Sequence, residues 1–512
     1  MHIVMVAAEN DALPNCKVGG VADVVRDIPK ALAGFEHQVS VIVPDYGQTS
    51  LTRQFVADIA VPFRQHLETA TLWKVSSVGC NVSQYVVGHS LFSQHGGDIY
   101  CNDEGFRPFA TDATKFAFFS AAVCEVLEHK LIPDADVVHL HDWHAATVAT
   151  LARFSRRFEH LASKRLVYTV HNLALQGIRP FKGDDSSLEA WFPTLSYDGR
   201  SICDHSAPHC YNPMRAGIQL CDKVHVVSPT YAKEVMNPSV PEHGFFGGER
   251  LEVDMQEASH VGKLAGIING CDYSTGSPGT ETLADFLGQS EEQIFRWMAK
   301  FGELKSTYYI AHQRISQWLK EDFSGPLITS VGRLTDQKAF LLRQPLNSGI
   351  TLDALADVVS QCDGRMVILG SGDGHIEYLF TQVMARHKNV LFLNGYGQGI
   401  GDMLYHLGDI FLMPSSFEPC GISQMLAMRA GQPCVVHQVG GLADTVKHGA
   451  TGYTFSGYNI DEQVHNLIEV FKEAVNDAAQ NNERYQHIKD SAQSQRFEWH
   501  FIAEQYLHLL YH

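Results

Sequence analysis

Short apolar runs alternate with longer amphipathic segments along much of the chain. The first run, His2 to Ala8, leads to a glycine turn at Gly19 and Gly20, and a helical pattern follows to about Ala33. Gln38 to Pro44 is the next apolar run. Strands and helices that alternate in this way form parallel sheets covered by helices on both faces. We therefore predict an α/β, doubly wound, Rossmann-like fold, with ligands at the carboxyl ends of the strands.

Two later runs of the first half end in polar side chains. They cover about residues 136–141 and 165–170. Because parallel strands end at one edge of a sheet, the polar side chains that follow them should face the ligand. These side chains are Asp142, Trp143 and His171.

A second series of the same kind begins after a turn-rich stretch at about 275–281 and a helical pattern at about 291–320. Its first strand, 326–331, is followed by Arg333 and Lys338, two cations five residues apart. Fixed cations at the end of a buried strand are suited to a leaving diphosphate.

The second half is organised around a loop that joins the apolar run 409–413 to a helical pattern beginning at Gly421. A helix N-terminus favours an anionic phosphate, and the carboxylate of Glu418 beside it suits sugar hydroxyls. Tyr396 lies in a glycine-flanked loop where its ring could stack on a base. These features predict a pocket for a sugar on a diphosphate. The alternative is an ordinary strand-to-helix turn with an exposed glutamate.

The length of 512 residues predicts more than one hydrophobic core. We expect an N-terminal Rossmann-like domain at 1–265 and a second at 266–490. The residues 491–512 should form a C-terminal helix that packs back on the first domain.

Charge and composition limit the partners. A formal net charge of −18 argues against nucleic acid, which requires a basic surface. No apolar run is long enough to span a membrane, and the first residues lack the basic region of a signal peptide. Eleven scattered cysteines are typical of a reducing compartment, so we expect a cytoplasmic protein.

Two groups of residues invite a metal interpretation. One places Asp142 among three histidines, and the other is the stretch 203–210 with two cysteines and two histidines. Neither spacing fits a standard site, and we interpret the region 178–215, which contains the stretch around 200–212, as a polar loop. We therefore predict no metal. The histidines of the first group are His139, His141 and His144.

Seven motifs in sequence resemble those of bacterial glycogen synthases and plant starch synthases, glycosyltransferase family 5. The resemblance covers nearly the whole chain in the right order. The motifs are Lys17-Val-Gly-Gly-Val-Ala-Asp23-Val, His141-Asp-Trp-His144, Thr169-Val-His-Asn-Leu-Ala-Leu-Gln-Gly177, Asn269-Gly-Cys-Asp272, Gly332-Arg-Leu-Thr-Asp-Gln-Lys338, Phe417-Glu-Pro-Cys-Gly421 and Gly440-Gly-Leu-Ala-Asp-Thr-Val446.

The resemblance implies a GT-B fold, with two Rossmann-like domains and a catalytic cleft between them. It implies that the first domain is on the acceptor side and that the second binds the nucleotide sugar. The implied reaction is retaining transfer of glucose from ADP-glucose to the non-reducing end of an α-1,4-glucan. Such front-face substitution needs charge stabilisation and positioning rather than a nucleophile, and no cofactor.

The resemblance also implies roles for residues that match the motifs. Catalytic roles fall to His171, Glu418, Arg333 and Lys338. Substrate-binding roles fall to Lys17, Gly19, Gly20, Asp23, Asp142, Trp143, Asn269, Tyr396, Cys420, Gly421, Ile422 and Ser423.

The chain departs from the family pattern in three places. Ala339 replaces a glycine, Gly276-Ser277-Pro278 replaces Trp-Asn-Pro, and His437-Gln438 replaces an arginine pair. These changes leave UDP-glucose as donor, or a short malto-oligosaccharide as acceptor, as alternatives. Two further alternatives are a catalytically weak paralogue that binds glucan and a zinc hydrolase.

Overall fold

The structure is a computed structural model that describes residues 1–47, 51–76, 81–101, 103, 105–273, 279–302 and 305–512, leaving aside the side chains of His95, Phe301 and Gln398. The chain forms two compact units. Unit 1 comprises Met1–Ser239, Gly247–Gly270 and Glu498–His512, and unit 2 comprises Val240–Phe246 and Cys271–Phe497.

Unit 1 is built on a nine-stranded sheet in the order β11-β10-β7-β6-β1-β2-β5-β4-β3. Neighbouring strands are parallel from β11 to β5, whereas β4 and β3 continue the sheet as antiparallel strands. A separate antiparallel pair joins β8 and β9. The strands are β1 His2–Val6, β2 Gln38–Pro44, β3 Arg53–Phe63, β4 His66–Val75, β5 Val82–Gly88, β6 Val137–His141, β7 Arg165–Val170, β8 Arg179–Pro180, β9 Cys210–Tyr211, β10 Lys223–Val226 and β11 Leu264–Gly266.

The order of the strands reverses between β1 and β6. From β1 the chain proceeds to β2 and β5 on one side, and from β6 to β7, β10 and β11 on the other. The central strands are buried throughout, a position that suits their mainly apolar sequences. The carboxyl ends of β1 and β6 therefore flank the topological switch point, where open α/β sheets bind ligands.

The helices of unit 1 include a C-terminal helix at residues 499–506. Trp499 lies against Gly270, where a Cβ atom would be 2.5 Å from the indole ring. His500 stacks on Phe35, which lies just after the end of the first helix, with ring centroids 4.6 Å apart. The helices are Gly20–Ala33, Ser90–Ser93, Ala110–Glu128, Asp142–Phe154, Glu159–Ala162, Leu188–Trp191, Gly199–Ile202, Pro213–Leu220, Pro229–Glu234, Glu252–His260 and Trp499–Tyr506, with 3₁₀ turns at Gln94–Gly97 and Arg156–Phe158 and a π turn at Leu507–Tyr511.

Unit 2 is built on a six-stranded, wholly parallel sheet in the order β16-β15-β12-β17-β18-β19. Its switch point lies between β12 and β17, because the chain proceeds outward from each of them in opposite directions. A small hairpin pairs β13 with β14. The strands are β12 Leu327–Val331, β13 Pro345–Leu346, β14 Gly349–Ile350, β15 Arg365–Gly370, β16 Val390–Asn394, β17 Ile410–Met413, β18 Cys434–His437 and β19 Gly452–Phe455.

The helices of unit 2 correct one prediction. The pattern at 291–320 predicted a single long helix, but the structure has two, which end and begin on either side of Gly302. Gly302 caps the first helix with a φ of +66°, a left-handed conformation that ends an α-helix. The helices are Leu283–Phe301, Ser306–Trp318, Asp336–Ala339, Thr351–Gln361, Gly374–Arg386, Gln398–Leu407, Ser423–Arg429, Gly440–Thr445, Ile460–Gln480 and Glu483–Ser494, with a 3₁₀ turn at Pro241–His243.

Other predictions change in detail. The region 178–215 is more ordered than a simple loop, because it contains short helices and the pair of β8 and β9. Leu188 and Trp191 anchor it, since both side chains are fully buried. Part of the predicted turn at 275–281 and the replacement Gly276-Ser277-Pro278 lie outside the described residues. Within the described part of the chain, no helix is both long and apolar enough to cross a membrane.

Candidate active site

Two side chains meet at the switch point of unit 2. Lys338 follows β12, Glu418 follows β17, and the Lys338 ammonium forms an ion pair with Oε2 of Glu418. The Ser415 hydroxyl donates to the same oxygen at 3.0 Å. Only 6% of Glu418 is exposed. The fold thus brings together two residues that are 80 positions apart in sequence.

The backbone around Glu418 is held by the glycine pair of the last motif. The Gly441 N–H donates to the Glu418 carbonyl oxygen at 3.0 Å. A Cβ atom on Gly440 would lie 1.9 Å from that oxygen, and Gly440 has a φ of +45°. A Cβ atom on Gly441 would lie 2.3 Å from the Cys420 carbonyl oxygen. Only glycine permits these approaches, so the motif shapes the loop that carries the carboxylate.

The helix after this loop begins two residues later than predicted. Gly421 has a φ of +77° and turns the chain, so the helix begins at Ser423 rather than at Gly421. Ile422, which precedes it, provides no side-chain cap for the first N–H groups. Cys420 is buried at 3% exposure.

Arg333 and Tyr396 are presented to solvent. Arg333 is exposed and forms no ion pair with any described residue. Tyr396 is 70% exposed, while its carbonyl oxygen accepts from the Trp297 indole at 3.1 Å. Trp297 therefore supports the backbone of the Tyr396 loop.

Two departures from the family pattern have structural accounts. His437, in place of an arginine, is 3% exposed and contacts the Ser415 carbonyl oxygen through Nδ1 at 3.1 Å. Burial lowers its pKa to about 4, so its ring is neutral and supports the Glu418 loop without a charge. Ala339 ends the short helix of Lys338 and is 1% exposed, and the unusual segment after it forms the hairpin of β13 and β14.

In unit 1, Glu9 organises the glycine turn after β1. Its Oε2 accepts from the N–H groups of Val18 and Gly19 at 2.6 and 2.7 Å. The Tyr100 hydroxyl donates to its other oxygen at 2.5 Å. Gly20 begins the following helix. Sequence reasoning missed Glu9 and Tyr100, although a carboxylate directly after the first strand is a usable signal.

Lys17 lies in a charged cluster beside this turn. Its ammonium donates to Asp23 at 2.6 Å and to Asp11 at 3.2 Å. Arg26 also contacts Asp11 and Asp23. Burial alone would lower the pKa of Lys17, but Asp23 and Asp11 outweigh this effect and raise it. The lysine is therefore charged and held in place.

Asp142 and His171 meet at the ends of β6 and β7. Oδ1 of Asp142 accepts from the His171 N–H at 2.7 Å. Burial raises the pKa of Asp142 to about 7, against the opposing effect of the N–H groups of His171 and Asn172. Burial lowers the pKa of His171 well below its usual value, so the ring is neutral at neutral pH.

Trp143 and Asn269 contribute buried surfaces in unit 1. Trp143 is 4% exposed and lies directly over Gly177, where a Cβ atom would be 2.1 Å from the indole ring. Asn269 is 4% exposed, and its buried Oδ1 finds no hydrogen-bond partner in the described structure.

Several of the histidines and cysteines considered for a metal contact other protein groups. His205 contacts Asp254 at 2.6 Å, and the Cys203 thiol contacts the Arg200 carbonyl oxygen. His141 contacts His171 at 3.0 Å. Among the residues that the structure describes, no three His, Cys, Asp or Glu side chains are grouped as they would be around a metal ion.

Comparison with known proteins identifies the family of this chain. Residues 2–257 match the starch synthase catalytic domain family, and residues 314–494 match the glycosyl transferases group 1 family. The glycogen synthase of Exiguobacterium sibiricum is 30% identical over 520 residues, covering 98% of this chain and 97% of the relative. The glycogen synthase of Streptococcus gordonii is 32% identical over 514 residues, covering 98% of this chain and 97% of the relative.

Solved structures extend the likeness to three dimensions. The catalytic domain of starch synthase IV from Arabidopsis thaliana, bound to ADP and acarbose, has a TM-score of 0.75 and 26% identity, covering 99% of this chain and 98% of that one. Sucrose-phosphate synthase from Thermosynechococcus elongatus shares the fold, with a TM-score of 0.55 and 16% identity over 99% and 98% of the two chains.

Two doubly wound units with polar groups at their switch points, together with these matches, define an enzyme class: the protein is a glycosyltransferase with the GT-B fold. It belongs to the glycogen synthase and starch synthase family.

Proposed function

We propose that this protein transfers glucose from ADP-glucose to the non-reducing end of an α-1,4-glucan, with retention of configuration. The observation that carries the proposal is the buried Glu418 carboxylate paired with Lys338 at the switch point of unit 2. A carboxylate accepts hydrogen bonds from sugar hydroxyls, and the ammonium beside it attracts phosphate oxygens. The site thus offers both an acceptor for sugar hydroxyls and a positive charge for a diphosphate.

Charge stabilisation drives the proposed reaction. The C1–O bond to the diphosphate breaks while the acceptor hydroxyl oxygen forms a bond to C1 on the same face. The acceptor proton passes to the departing phosphate oxygen. Lys338 and Arg333 stabilise the negative charge that develops on the diphosphate, which is worth most in a site that excludes water. The N–H groups at Ile422 and Ser423, beside Cys420 and Gly421, bind phosphate oxygens.

Unit 1 supplies the remaining groups of the proposal. Lys17 adds a fixed positive charge, and its partner Asp23 orients it. Glu9 holds the turn of Gly19 and Gly20 in the shape that lets backbone approach a ligand. Neutral His171 forms a hydrogen bond with the reacting sugar. The groups proposed to line the pocket are Asp142, Trp143 and Asn269.

The choice of ADP rests on the family and on one side chain. The starch synthase IV structure contains ADP, and the exposed ring of Tyr396 offers a face on which adenine could stack. UDP-glucose and a short malto-oligosaccharide remain the alternative donor and acceptor. We also propose a cytoplasmic location, because the cysteines that the structure describes are free thiols.

The experiment that tests this function measures nucleotide release from ADP-glucose and from UDP-glucose, each with and without glycogen and in the presence of EDTA. We expect ADP release that depends on glycogen and persists in EDTA. The variant Glu418→Gln is the control, since release by this site should disappear with the carboxylate. Preference for UDP-glucose would overturn the donor assignment, and release without glycogen would overturn the acceptor assignment.

A further inference from the structure

Four histidines of unit 1 form a buried polar network that extends well beyond the proposed contact with sugar. His139, His141 and His225 are at most 1% exposed, and His171 is 8% exposed. Burial lowers the pKa of His139 and His141 well below the usual value and that of His225 to about 4. Each ring is therefore neutral, with one donor and one acceptor nitrogen. The Thr169 hydroxyl links the rings of His139 and His225, and the Tyr511 hydroxyl contacts His139.

The network has one fixed end, the carbonyl oxygen of Ile267, which can only accept. Nε2 of His225 lies 3.0 Å from this oxygen and must carry the proton. Nδ1 of the same neutral ring is then an acceptor. The Thr169 hydroxyl, 2.9 Å away, must donate its proton to that nitrogen.

The same reasoning fixes the direction of the hydrogen bonds from Thr169 to Tyr511, near the C-terminus of the polypeptide. Because Thr169 has already used its proton, its oxygen accepts from Nε2 of His139 at 2.6 Å. Nδ1 of His139 is then an acceptor, and the Tyr511 hydroxyl donates to it at 2.7 Å. Only one direction of donation is therefore possible: each group donates its proton to the next, from Tyr511 to the carbonyl oxygen of Ile267.

His141 connects this chain to His171. Its ring stacks on His139, with centroids 4.5 Å apart and planes 18° apart. Its Nδ1 lies 3.0 Å from Nε2 of His171. Its own Nε2 is fully buried and has no hydrogen-bond partner in the described structure. Since proteins seldom leave a buried N–H unsatisfied, the proton of His141 resides on Nδ1 and is donated to His171.

We infer that His141 is a positioning residue that fixes His171 as the Nδ1–H tautomer, so that His171 offers a hydrogen-bond donor to the sugar. The hydrogen bond at one imidazole nitrogen decides which nitrogen carries the proton. The chain from Tyr511 to Ile267 holds His139, against which His141 is stacked. The part of this inference that concerns sugar rests on the proposed function, whereas the tautomer does not.

The first test observes the tautomer in the full chain. NMR of protein labelled with ¹⁵N-histidine, with the His171 signals assigned by comparison with His171→Gln, reports which ring nitrogen is protonated. We expect a proton on Nδ1 of His171 that does not titrate between pH 6 and 8. A proton on Nε2, or a ring that titrates in this range, would overturn the inference whatever reaction the enzyme catalyses.

The second test distinguishes the role of the His141 N–H donor from the role of its ring in packing. His141→Asn keeps an N–H near the position of Nδ1, whereas His141→Phe keeps a flat ring without a donor. We expect His141→Phe to lower kcat about tenfold with little change in KM, and His141→Asn to retain kcat within about threefold. The Nδ1–H signal of His171 should persist only in His141→Asn.

Two further variants complete the design. Tyr511→Phe removes the first donor of the chain but leaves its order fixed from Ile267, so His171 is expected to keep its Nδ1–H tautomer, and loss of this tautomer would contradict its control by His141. Tyr197→Phe is the matched control, because it removes a tyrosine hydroxyl that contacts only Glu189, at 2.8 Å, among the described residues. Equal loss of kcat in His141→Asn and His141→Phe would contradict the donor role. If His141→Phe does not fold, the spectra of the wild-type protein and of His141→Asn still test which nitrogen of His171 carries the proton.

Discussion

At the scale of single residues, burial and neighbouring charges decide which of the candidate site residues of each unit carry charge. His171 and His437 are neutral because their surroundings exclude water, although each stands where a charged ring could have been expected. Asp142 has a pKa of about 7, so it retains its proton in much of the acidic range. Lys17, in contrast, is charged because two aspartates face it.

The pKa of Asp142 predicts a dependence of stability on pH. Between about pH 4 and 7 the unfolded chain loses this proton while the folded chain keeps it, so the free energy of unfolding falls as pH rises. This slope is at most about 1.4 kcal/mol per pH unit. Asp142→Asn should remove it while still accepting the His171 N–H. Urea unfolding of both proteins at pH 5, 6 and 7.5 measures the difference, and parallel curves would contradict the prediction.

The ion pair of unit 2 predicts a loss of turnover. Lys338→Ala should lower kcat by about 10²- to 10³-fold, because in the proposed reaction it removes a fixed charge near the leaving diphosphate. It should also lower stability, since Glu418 would remain buried without its cation.

Arg343→Ala is the matched control for Lys338→Ala. Arg343 is a nearby cation of unit 2 whose carboxylate partner is Asp336 rather than Glu418. Its removal should leave kcat nearly unchanged. Steady-state kinetics of the two variants, with thermal unfolding in parallel, compares them. Near-normal turnover in Lys338→Ala would remove Lys338 from the site.

At the scale of elements, the close approach of two loops explains the glycine pair. The loop after β17 and the start of the helix Gly440–Thr445 approach each other closely through backbone atoms. Any side chain at Gly440 would meet the Glu418 carbonyl oxygen, so the geometry of the carboxylate depends on an element that follows it in sequence.

Gly440→Ala should therefore lower both stability and activity. The clash and the positive φ are each unfavourable for alanine, and we expect a loss of about 1–3 kcal/mol in the free energy of unfolding. Gly288→Ala is the control, because Gly288 lies inside the helix Leu283–Phe301 with no atom within 4 Å of an added Cβ. It should raise stability by about 0.5–1 kcal/mol. Chemical denaturation distinguishes the two, and a stable, active Gly440→Ala would refute the account.

At the scale of the whole molecule, unit 1 is assembled from distant parts of the chain. Residues 498–512 belong to it, where Trp499 covers Gly270 and Tyr511 reaches His139. The last residues therefore support both the packing of unit 1 and its histidine network.

This assembly predicts a large effect of one C-terminal side chain. Trp499→Ala should cost about 3–5 kcal/mol, because it removes a buried indole and leaves a cavity. Phe501→Ala, in the same helix but 56% exposed, should change the free energy of unfolding by less than about 0.5 kcal/mol. Thermal and urea unfolding compare them. Equal effects of the two substitutions would show that the helix is not a structural part of unit 1.

Local patterns determined a large part of this protein. The apolar runs predicted β1, β2, β6, β7, β12 and β17 to within a few residues, because burial in a parallel sheet requires continuous apolar sequence. The motifs predicted the family and the fold class, which the comparisons confirm.

Tertiary structure decided which distant residues meet and which groups are buried, and no local sequence pattern contains this information. The order of strands sets the switch points, and it joins Lys338 to Glu418 across 80 positions and Tyr100 to Glu9 across 91. Burial sets the pKa values of Asp142 and the histidines, and the direction of the hydrogen-bond chain depends on Ile267 as its fixed acceptor. The physical reason is the same in each case: hydrogen bonding and exclusion of water act between groups that are close in space, whatever their separation along the chain.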